Sequence, residues 1–351
     1  MEGSLKMLEY QVKAINRVRE YAKIKNIEHQ TRIKEICAPY GINFQELINK
    51  VLLNPVTINF HPDRYSNNRK KIIENLIEQG VYHGQFRTGT TNGGRTAFIG
   101  GDRFLWEQQL FFDAYPQVSL DRPKYGALNL FQYPDGASVR FGSCFLSLKH
   151  EIIDRCTFAY GDSSTNPSVL CTSDTFAGVL SELFNDVRGK GRLLNQAVSS
   201  EQEALAILMN TCQTKELGKN LDYCIEVHIH GDILLENDVD CFYIDTSFKH
   251  TPIGEQAETL CQKYKINLRW IRERQIEVDA IGEIFRGPMI PVLAQRIDHR
   301  FGNSQGIVNA TLIGCASRDI FLNQNAWEDL GNEYELFQYL KQLWHTVGYF
   351  G

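Results

Sequence analysis

A carboxylate and two imidazoles alternate along one short apolar stretch of the chain. In the sequence IEVHIH, strand periodicity places Glu226, His228 and His230 on one face and Val227 and Ile229 on the other. Three interpretations of the polar face remain open: an ordinary half-exposed edge strand, a metal site in which both imidazoles reach one ion, or a catalytic carboxylate at Glu226. Neither an HExxH nor a CxxC motif accompanies the histidines, so the residues alone do not decide.

A second polar cluster follows the apolar run VTINF early in the chain. His61 and Arg64 belong to the sequence HPDR, directly after this run. Strand ends that face a cleft present polar side chains to ligands, so both residues are candidates for ligand binding. A solvated turn with a surface arginine would have the same composition.

The segment RTGTTNGG is rich in small hydroxyl groups and backbone N–H groups. Such a loop can bind a carboxamide or a phosphate at close range, and an ordinary hairpin turn has the same composition. Its candidate residues are Thr88, Gly89, Thr91, Asn92 and Gly93.

Arg103 and Glu107 stand one helical turn apart in the sequence DRFLWE. This spacing is more typical of a surface ion pair than of an active site. Cys144 lies in an apolar run, where a thiol is usually inert.

The composition limits the partners of the chain. Its 351 residues include 37 basic and 42 acidic side chains, which give a net charge of -5. A protein that follows a phosphate backbone needs a basic excess, so we expect no nucleic acid partner. The N-terminal residues have no continuous apolar core, so we expect neither a Sec signal peptide nor a membrane partner.

Cysteine usage indicates the compartment. The nine cysteines are scattered and none forms a CxxC pair, which is typical of free thiols in a reducing environment. We therefore expect a cytoplasmic protein, or one that a specialised non-Sec system delivers into another cell.

Hydrophobic periodicity divides the chain into a helical start, a strand-rich middle and a mixed end. Residues 5 to about 50 read as two or three amphipathic helices, which end at Asn54-Pro55. Strands are predicted at 56–60, 81–86, 96–100, 126–133, 138–149, 156–161, 223–231 and 240–248, and helices at 68–79, 102–115, 174–190, 200–212, 254–264 and 332–347. The pattern predicts an α+β fold.

The order of these segments resembles the ADP-ribosyltransferase superfamily. Its members carry an Arg or His on an early strand, then a Ser/Thr or Tyr motif, then a Glu at the start of a late strand. The resemblance is closest to a bacterial domain-of-unknown-function family and covers about residues 56–250. The matching blocks are HPDR (61–64), QFRTGTTNGG (85–94), GGDRFLWE (100–107), RPKYGALN (122–129), RFGS (140–143), TFAYGD (157–162) and EVHIHG (226–231).

The resemblance implies a fold and an activity. The fold is a split β-sandwich with NAD in its central cleft, formed by a catalytic domain at 55–250. An N-terminal helical region at 1–54 and a C-terminal α/β extension at 251–351 would pack around it. The activity is NAD-dependent mono-ADP-ribosyl transfer to a protein, without a metal. The family includes secreted effectors that modify an arginine on a host metabolic enzyme.

The resemblance also implies roles for single residues. Arg64 matches the early arginine and would bind an NAD phosphate, with Arg103 as a second phosphate ligand. His61 would contact the adenosine ribose, and Glu226 matches the catalytic glutamate. Glu107 lies in its own family block and is a rival catalytic carboxylate. The remaining cofactor-binding candidates are Gln85, Thr88, Gly89, Thr91, Asn92, Gly93, Tyr125 and Ser143.

One departure from the family pattern concerns the acceptor. Relatives that modify arginine often carry a second acidic residue two positions before the catalytic glutamate, and this chain has Cys224 there. Arginine on a host protein such as a metabolic dehydrogenase stays the first choice of acceptor. Two other functions remain open: a metal-dependent hydrolase that uses His228 and His230, and a catalytically silent nucleotide-binding module.

Overall fold

The computed structural model describes residues 7–90, 96–210 and 214–351. Its helices are α1 (Glu9–Cys37), α2 (Phe44–Leu52), α3 (Ile72–Gln79), α4 (Gln85–Thr88), α5 (Asp102–Leu110), α6 (Ala177–Lys190), α7 (Glu201–Met209), α8 (Leu235–Asp238), α9 (Pro252–Tyr264), α10 (Glu283–Arg286), α11 (Met289–Phe301), α12 (Ala310–Leu322) and α13 (Glu333–Phe350). Its strands are β1 (Val56–Phe60), β2 (Val81–Tyr82), β3 (Lys124–Leu128), β4 (Cys144–Leu148), β5 (Cys156–Tyr160), β6 (Leu170–Thr172), β7 (Arg192–Leu193), β8 (Gln196–Ala197), β9 (Ile225–Ile229), β10 (Ile233–Leu234), β11 (Val239–Asp245), β12 (Asn267–Ile271), β13 (Gln275–Glu277) and β14 (Ile307–Asn309).

Eight strands form one central mixed sheet, in the order β12-β11-β4-β1-β3-β9-β5-β6. The β11 and β12 strands are parallel, with α9 as the connection between them, whereas the other neighbours in this sheet are antiparallel. Helices surround the sheet, so the predicted mixture of α and β structure is confirmed. Because β12 belongs to this sheet, a division after residue 250 passes through it.

The sheet opens between β1 and β3. These two strands pair only at Val56 with Leu128 and at Thr57 with Ala127. By contrast, β1 pairs with β4 at four positions and β3 pairs with β9 at four positions. Beyond the last shared pair, the two strands therefore separate. A Cβ atom on Gly126 would lie 2.7 Å from the carbonyl oxygen of Thr57, so only glycine fits where the strands diverge.

The described part of the N-terminal region, residues 7–54, contains two α-helices. Helix α1 runs without a break for 29 residues, and a short 3-10 turn with Pro39 and Gly41 separates it from α2. Asn43 begins α2, because its side-chain oxygen accepts hydrogen bonds from the backbone N–H groups of Gln45 and Glu46. Helix α1 packs against α6 and β6. The prediction of an amphipathic helical start is confirmed.

Most of the predicted strands exist, but several are shorter than expected. The run VTINF forms β1 with its predicted bounds, and every residue in it is buried. The predicted strand at 96–100 is wrong: a turn forms there, closed by a hydrogen bond from the N–H of Gly101 to the carbonyl oxygen of Phe98. The predicted strand at 81–86 stops at Tyr82, because Gln85 already begins α4. The C-terminal end of the predicted helix 200–212 lies outside the described residues.

The apolar core joins the sheet to the helices on its faces. Buried side chains from β1, β4, β9 and β11 contact those of α2, α6, α9, α11 and α13 in one cluster. In the part of the chain that the structure describes, no helix combines the length and the apolar content needed to cross a bilayer.

Candidate functional site

A pocket lies where β1 and β3 separate. Its walls come from the end of β1, the start of β3, the segment between β2 and α4, the start of β9, and helix α13. The candidate residues that line it are His61, Arg64, Gln85, Thr88, Arg103, Tyr125 and Glu226. Residues from all seven of the sequence blocks therefore contribute to one pocket.

Arg64 lines this pocket and is only 6% exposed. Its NH1 atom lies 3.2 Å from Oδ1 of Asp63, and burial lowers the pKa of the guanidinium while Asp63 opposes that shift. Asp63 in turn packs against α12 at Gly314, where a Cβ atom would come within 1.7 Å of Oδ2. The turn after β1 is thus fixed by a buried ion pair and a close helix contact.

His61 also lines the pocket, and Ser143 supports it from behind. Nδ1 of His61 lies 3.3 Å from Oγ of Ser143, and the imidazole packs edge-on against Trp344 with ring centroids 5.0 Å apart. Burial holds the pKa of His61 well below its usual range, so the ring is neutral at physiological pH. Ser143 is buried and does not line the pocket, so its predicted direct contact with a cofactor is corrected to a contact with His61.

The segment QFRTGTTNGG (85–94) contributes to the pocket through its first residues. Gln85 and Thr88 belong to α4 and line the pocket. Gly89 ends this turn with a φ of 63°, and a Cβ atom there would lie 1.9 Å from Oδ1 of Asn67. Gly89 is not a lining residue, so its role is to turn the chain. Thr91, Asn92 and Gly93 lie outside the described residues.

Arg103 is the most firmly positioned cation of the pocket. Nε donates to Oε1 of Glu107 at 3.0 Å, and NH1 donates to Oε1 of Gln85. The guanidinium carbon lies 4.3 Å from the ring centroid of Tyr125 and 5.2 Å from that of Trp106. Burial alone would lower the pKa of Arg103, but Glu107 raises it above its usual value.

Glu107 does not face the pocket. Its side chain is fully buried, and Oε2 accepts a hydrogen bond from NH1 of Arg122 at 3.3 Å. Since Arg103 takes the other oxygen, both oxygens of this carboxylate are bound to guanidinium groups. The expected ion pair with Arg103 is present, but it is buried and not on the surface. Glu107 therefore positions Arg103, and the expectation that Glu107 is a rival catalytic carboxylate is corrected.

Glu226 lines the pocket from β9, an interior strand between β3 and β5. Oε1 accepts one hydrogen bond from the backbone N–H of Ser163 at 3.2 Å and another from Nε2 of His228 at 3.0 Å. No hydrogen bond from the described residues reaches Oε2. One oxygen of the carboxylate is thus fixed, while the side chain remains 10% exposed at the pocket wall.

His228 and His230 point into the protein. Neither is exposed, so the interpretation of this segment as a half-exposed edge strand is wrong. His228 bonds to Thr157 through Nδ1 and to Ser163 and Glu226 through Nε2. His230 bonds to Tyr115 through Nδ1 and to Thr157 through Nε2. All four ring nitrogens have protein partners, so this geometry gives the metal-site interpretation no support.

A comparison with protein families identifies the group to which the chain belongs. One family model matches residues 55–350, which is most of the chain. The chain belongs to the DUF3626 family. This family is described as a protein of unknown function. A comparison with curated protein sequences gives no match.

The DUF3626 match includes three further pocket residues, Arg140, Asp162 and Lys341. The sequence reasoning noted Arg140 in the RFGS block without giving it a role, and did not select the other two. NH2 of Arg140 donates to Oδ2 of Asp162 at 3.1 Å, and NH1 donates to Asp222 at 3.0 Å. Arg140 and Asp162 stand in the RFGS and TFAYGD blocks, so those blocks carried a signal for them. Lys341 belongs to α13, where nothing in the local sequence indicates a pocket.

The pocket of this DUF3626 protein has an excess of cationic side chains. Among the described lining residues the cations are Arg64, Arg103, Lys124, Arg140 and Lys341, and the carboxylates are Asp162 and Glu226. Cys224 lies beside Glu226, and burial raises the pKa of its thiol to about 12, so the thiol adds no charge at neutral pH. A pocket of this charge favours an anionic ligand.

Proposed function

We propose that the protein is an NAD-dependent mono-ADP-ribosyltransferase. The observation that carries this proposal is that Arg64, Arg103 and Glu226 line one pocket. Arg64 and Glu226 stand in the order along the chain that the resemblance to ADP-ribosyltransferases implies, and Arg103 is the proposed second phosphate ligand. A dinucleotide has a diphosphate with two negative charges, and the cationic excess of the pocket suits it.

The opening of the sheet supports the finer fold assignment, a split β-sandwich of the ADP-ribosyltransferase type. On one side of the opening are β12, β11, β4 and β1, and on the other side are β3, β9, β5 and β6. The pocket lies between these two groups of four strands. In our proposal this opening is the NAD cleft.

The chemistry follows from the positions of the charges. Cleavage of the bond between nicotinamide and ribose transfers the bonding electron pair to the nicotinamide and leaves positive charge on the sugar. Glu226, fixed through Oε1, would stabilise this charge with the oxygen that faces the pocket. Arg64 and Arg103 would bind the diphosphate and keep the leaving group in line with the acceptor. The acceptor nucleophile then forms the new bond to the ribose carbon and loses a proton.

The acceptor in this proposal is a protein side chain, with arginine as the first choice. A host metabolic enzyme such as a dehydrogenase is the proposed partner, and delivery into the host by a specialised secretion system is the proposed route. Cys224 occupies the position where arginine-modifying relatives often have an acidic residue. Its thiol is protonated at neutral pH, so it cannot replace that carboxylate as a base.

One experiment separates the proposed transferase from a silent binding module. The purified protein is incubated with NAD labelled in the adenylate half, first alone and then with a cell lysate. We expect label on protein in the lysate and release of nicotinamide. NAD binding without nicotinamide release and without label on protein would identify a silent module and contradict the proposal.

Two variants control this experiment. Glu226→Gln keeps the size of the side chain and removes its charge, so it should abolish labelling while NAD still binds. Glu236→Gln changes an exposed carboxylate on α8 away from the pocket and should label protein as the unmodified chain does. Full labelling by Glu226→Gln would remove Glu226 from the mechanism.

A further inference from the structure

A chain of hydrogen bonds leads from Glu226 into the interior of the protein. Oε1 of Glu226 lies 3.0 Å from Nε2 of His228, and Nδ1 of His228 lies 3.0 Å from Oγ1 of Thr157. The same hydroxyl lies 3.1 Å from Nε2 of His230, and Nδ1 of His230 lies 2.6 Å from the hydroxyl of Tyr115. We name the four residues Tyr115, His230, Thr157 and His228 the Tyr115–His228 chain.

The direction of these hydrogen bonds follows from the carboxylate at one end. A carboxylate only accepts, so in the neutral ring Nε2 of His228 carries the proton, shared between Oε1 of Glu226 and Oγ of Ser163 at 2.7 Å, and Nδ1 accepts. Thr157 then donates to His228 and accepts from Nε2–H of His230. Nδ1 of His230 is left as an acceptor, and the phenol of Tyr115 donates to it. Every link is satisfied in this one direction, with both histidines in the Nε2–H tautomer.

The Tyr115–His228 chain is buried. Tyr115, Thr157 and both histidines are 0% to 2% exposed, and Phe111 packs edge-on against both imidazoles, with centroids 5.4 Å from His228 and 5.2 Å from His230. Burial holds the pKa of His230 well below its usual range and that of Tyr115 well above it. His230 is therefore an uncharged imidazole and Tyr115 an uncharged donor at neutral pH.

The nearest charges lie beside the chain and do not interrupt it. Lys124 donates to the carbonyl oxygen of Gly231 at 2.7 Å, and Arg155 donates to the carbonyl oxygens of His230 and Asp232. Arg122 lies against the ring face of Tyr115, with its guanidinium carbon 5.8 Å from the centroid. These contacts of the three cations go to backbone oxygens and a ring face. Outside the chain itself, Nε2 of His228 contacts Oε1 of Glu226 and Oγ of Ser163.

We propose that the Tyr115–His228 chain, by donating to Nδ1 of His228, stabilises the Nε2–H tautomer of that ring and thereby orients the carboxylate of Glu226 toward the pocket. Its four members are positioning residues: they lie behind Glu226 and act through it. The catalytic part of this inference rests on the proposed function, whereas the tautomers do not. Oε1 is engaged with His228 and Ser163, so Oε2 is the oxygen presented to a ligand.

The tautomers are tested directly by NMR. In the full chain with 15N-labelled histidine rings, we expect both His228 and His230 to show the neutral Nε2–H pattern, assigned with His228→Gln and His230→Gln. Thr157→Val removes the central hydroxyl from a side chain of nearly the same shape, and should give a mixture of tautomers at His228. Thr157→Ser restores the hydroxyl and should restore the single tautomer. An Nδ1–H or doubly protonated form of either histidine in the unmodified protein would overturn the proposal.

Kinetics test the consequence for Glu226. For nicotinamide release from NAD, Thr157→Val should lower kcat about tenfold, the factor expected from the loss of one buried hydrogen bond, and change KM by less than about twofold. Thr157→Ser should stay within about twofold of the unmodified protein. Thr172→Val is the matched control, because Thr172 is also buried, pairs with Thr157 across β5 and β6, and lies outside the chain. It should leave both kcat and the histidine tautomers unchanged.

The outcomes separate this inference from the proposed function. If the unmodified protein does not cleave NAD, the proposed function fails, while the NMR result still decides whether the chain sets the tautomers. If NAD is cleaved and Glu226→Gln abolishes cleavage, but Thr157→Val retains both kcat and the single tautomer, the positioning role is refuted and the proposed function stands. Tyr115→Phe removes the far hydroxyl and provides a second test if Thr157→Val does not fold.

Discussion

Glu107 is fully buried and Glu226 nearly so, but their hydrogen-bond partners differ. Glu107 has a guanidinium on each oxygen, from Arg103 and Arg122, and is 0% exposed. Glu226 has a backbone N–H and an imidazole on one oxygen, and its side chain reaches the pocket. A carboxylate with a guanidinium on each oxygen stabilises structure, whereas one held through a single oxygen can present the other to a ligand. The difference teaches that burial alone does not identify the catalytic group.

The largest effect should come from removing the charge of Glu226. Glu226→Gln should lower the rate of nicotinamide release by about 10³-fold, because the charge on the developing sugar cation loses its counter-charge. The midpoint of thermal unfolding should change little, since Gln can still accept from the N–H of Ser163. Stopped-time assays of nicotinamide release and a thermal melt on the same sample measure both. An equal loss of rate in Glu107→Gln at temperatures where that variant is folded would erase the contrast between the two carboxylates.

Glu107→Gln should act mainly on stability. The substitution leaves the guanidinium of Arg122 buried without its counter-charge, which lowers the free energy of unfolding by about 4 kcal/mol. Urea unfolding monitored by circular dichroism measures this loss. The double variant Glu107→Gln/Arg122→Met removes both charges and should be less destabilised than the sum of the two single variants. Additive effects would show that the two side chains are not coupled.

Sequence reasoning predicted the part of the fold that depends on local patterns. The run VTINF predicted the bounds of β1, since this mostly apolar and β-branched segment lies between Pro55 and His61. The i, i+4 spacing of Arg103 and Glu107 gave the ion pair. Neither pattern predicts the hydrogen bond between Arg122 and Glu107, because that contact depends on how a later loop packs.

The site was predicted where its residues lie in short polar blocks next to strands. His61, Arg64, Gln85, Thr88, Arg103, Tyr125 and Glu226 all line the pocket. Lys341 was not predicted, because a lysine on an amphipathic helix usually faces solvent and only the packing of α13 brings it to the pocket. The partners of His228 and His230 were not predicted either. Alternation gave the face correctly, but not that Phe111, Tyr115 and Thr157 cover it.

Asp245 extends the comparison to a third buried carboxylate. Its two oxygens accept from the backbone N–H groups of Ser247 at 2.8 Å and Arg274 at 3.0 Å, and burial raises its pKa to about 6. In the folded protein it therefore holds a proton at pH values where the unfolded chain, with a pKa of about 3.9, has released it. The folded state binds more protons in this window, so the free energy of unfolding should fall by about 3 kcal/mol as the pH rises from about 4 to about 6.

The measurement is the pH dependence of urea unfolding in the unmodified protein and in Asp245→Asn. The variant cannot lose this proton, so its stability relative to the unmodified protein should rise across the same window. Asp329→Asn serves as the control at the surface, where Arg296 lowers the pKa of Asp329 and gives a slope of opposite sign. Parallel pH profiles for the unmodified protein and Asp245→Asn would show that the pKa of Asp245 is the same in the folded and unfolded states.

The smallest effect should come from Lys341, the pocket cation contributed by α13. The half-buried ammonium group of Lys341 lies near Arg140. Burial lowers the pKa of Lys341, and the charge of Arg140 lowers it further. Lys341 therefore contributes a partly screened attraction to an anionic ligand. Lys341→Met should raise KM for NAD about threefold and leave kcat nearly unchanged, as expected for a screened charge. Added salt should shrink the difference between the variant and the unmodified protein. Lys50→Met, on the exposed face of α2, should show neither effect. If Lys341→Met instead lowered kcat as Glu226→Gln does, Lys341 on α13 would take part in the chemical step. The distinction between side chains that bind the ligand and side chains that react would then not separate Lys341 from Glu226.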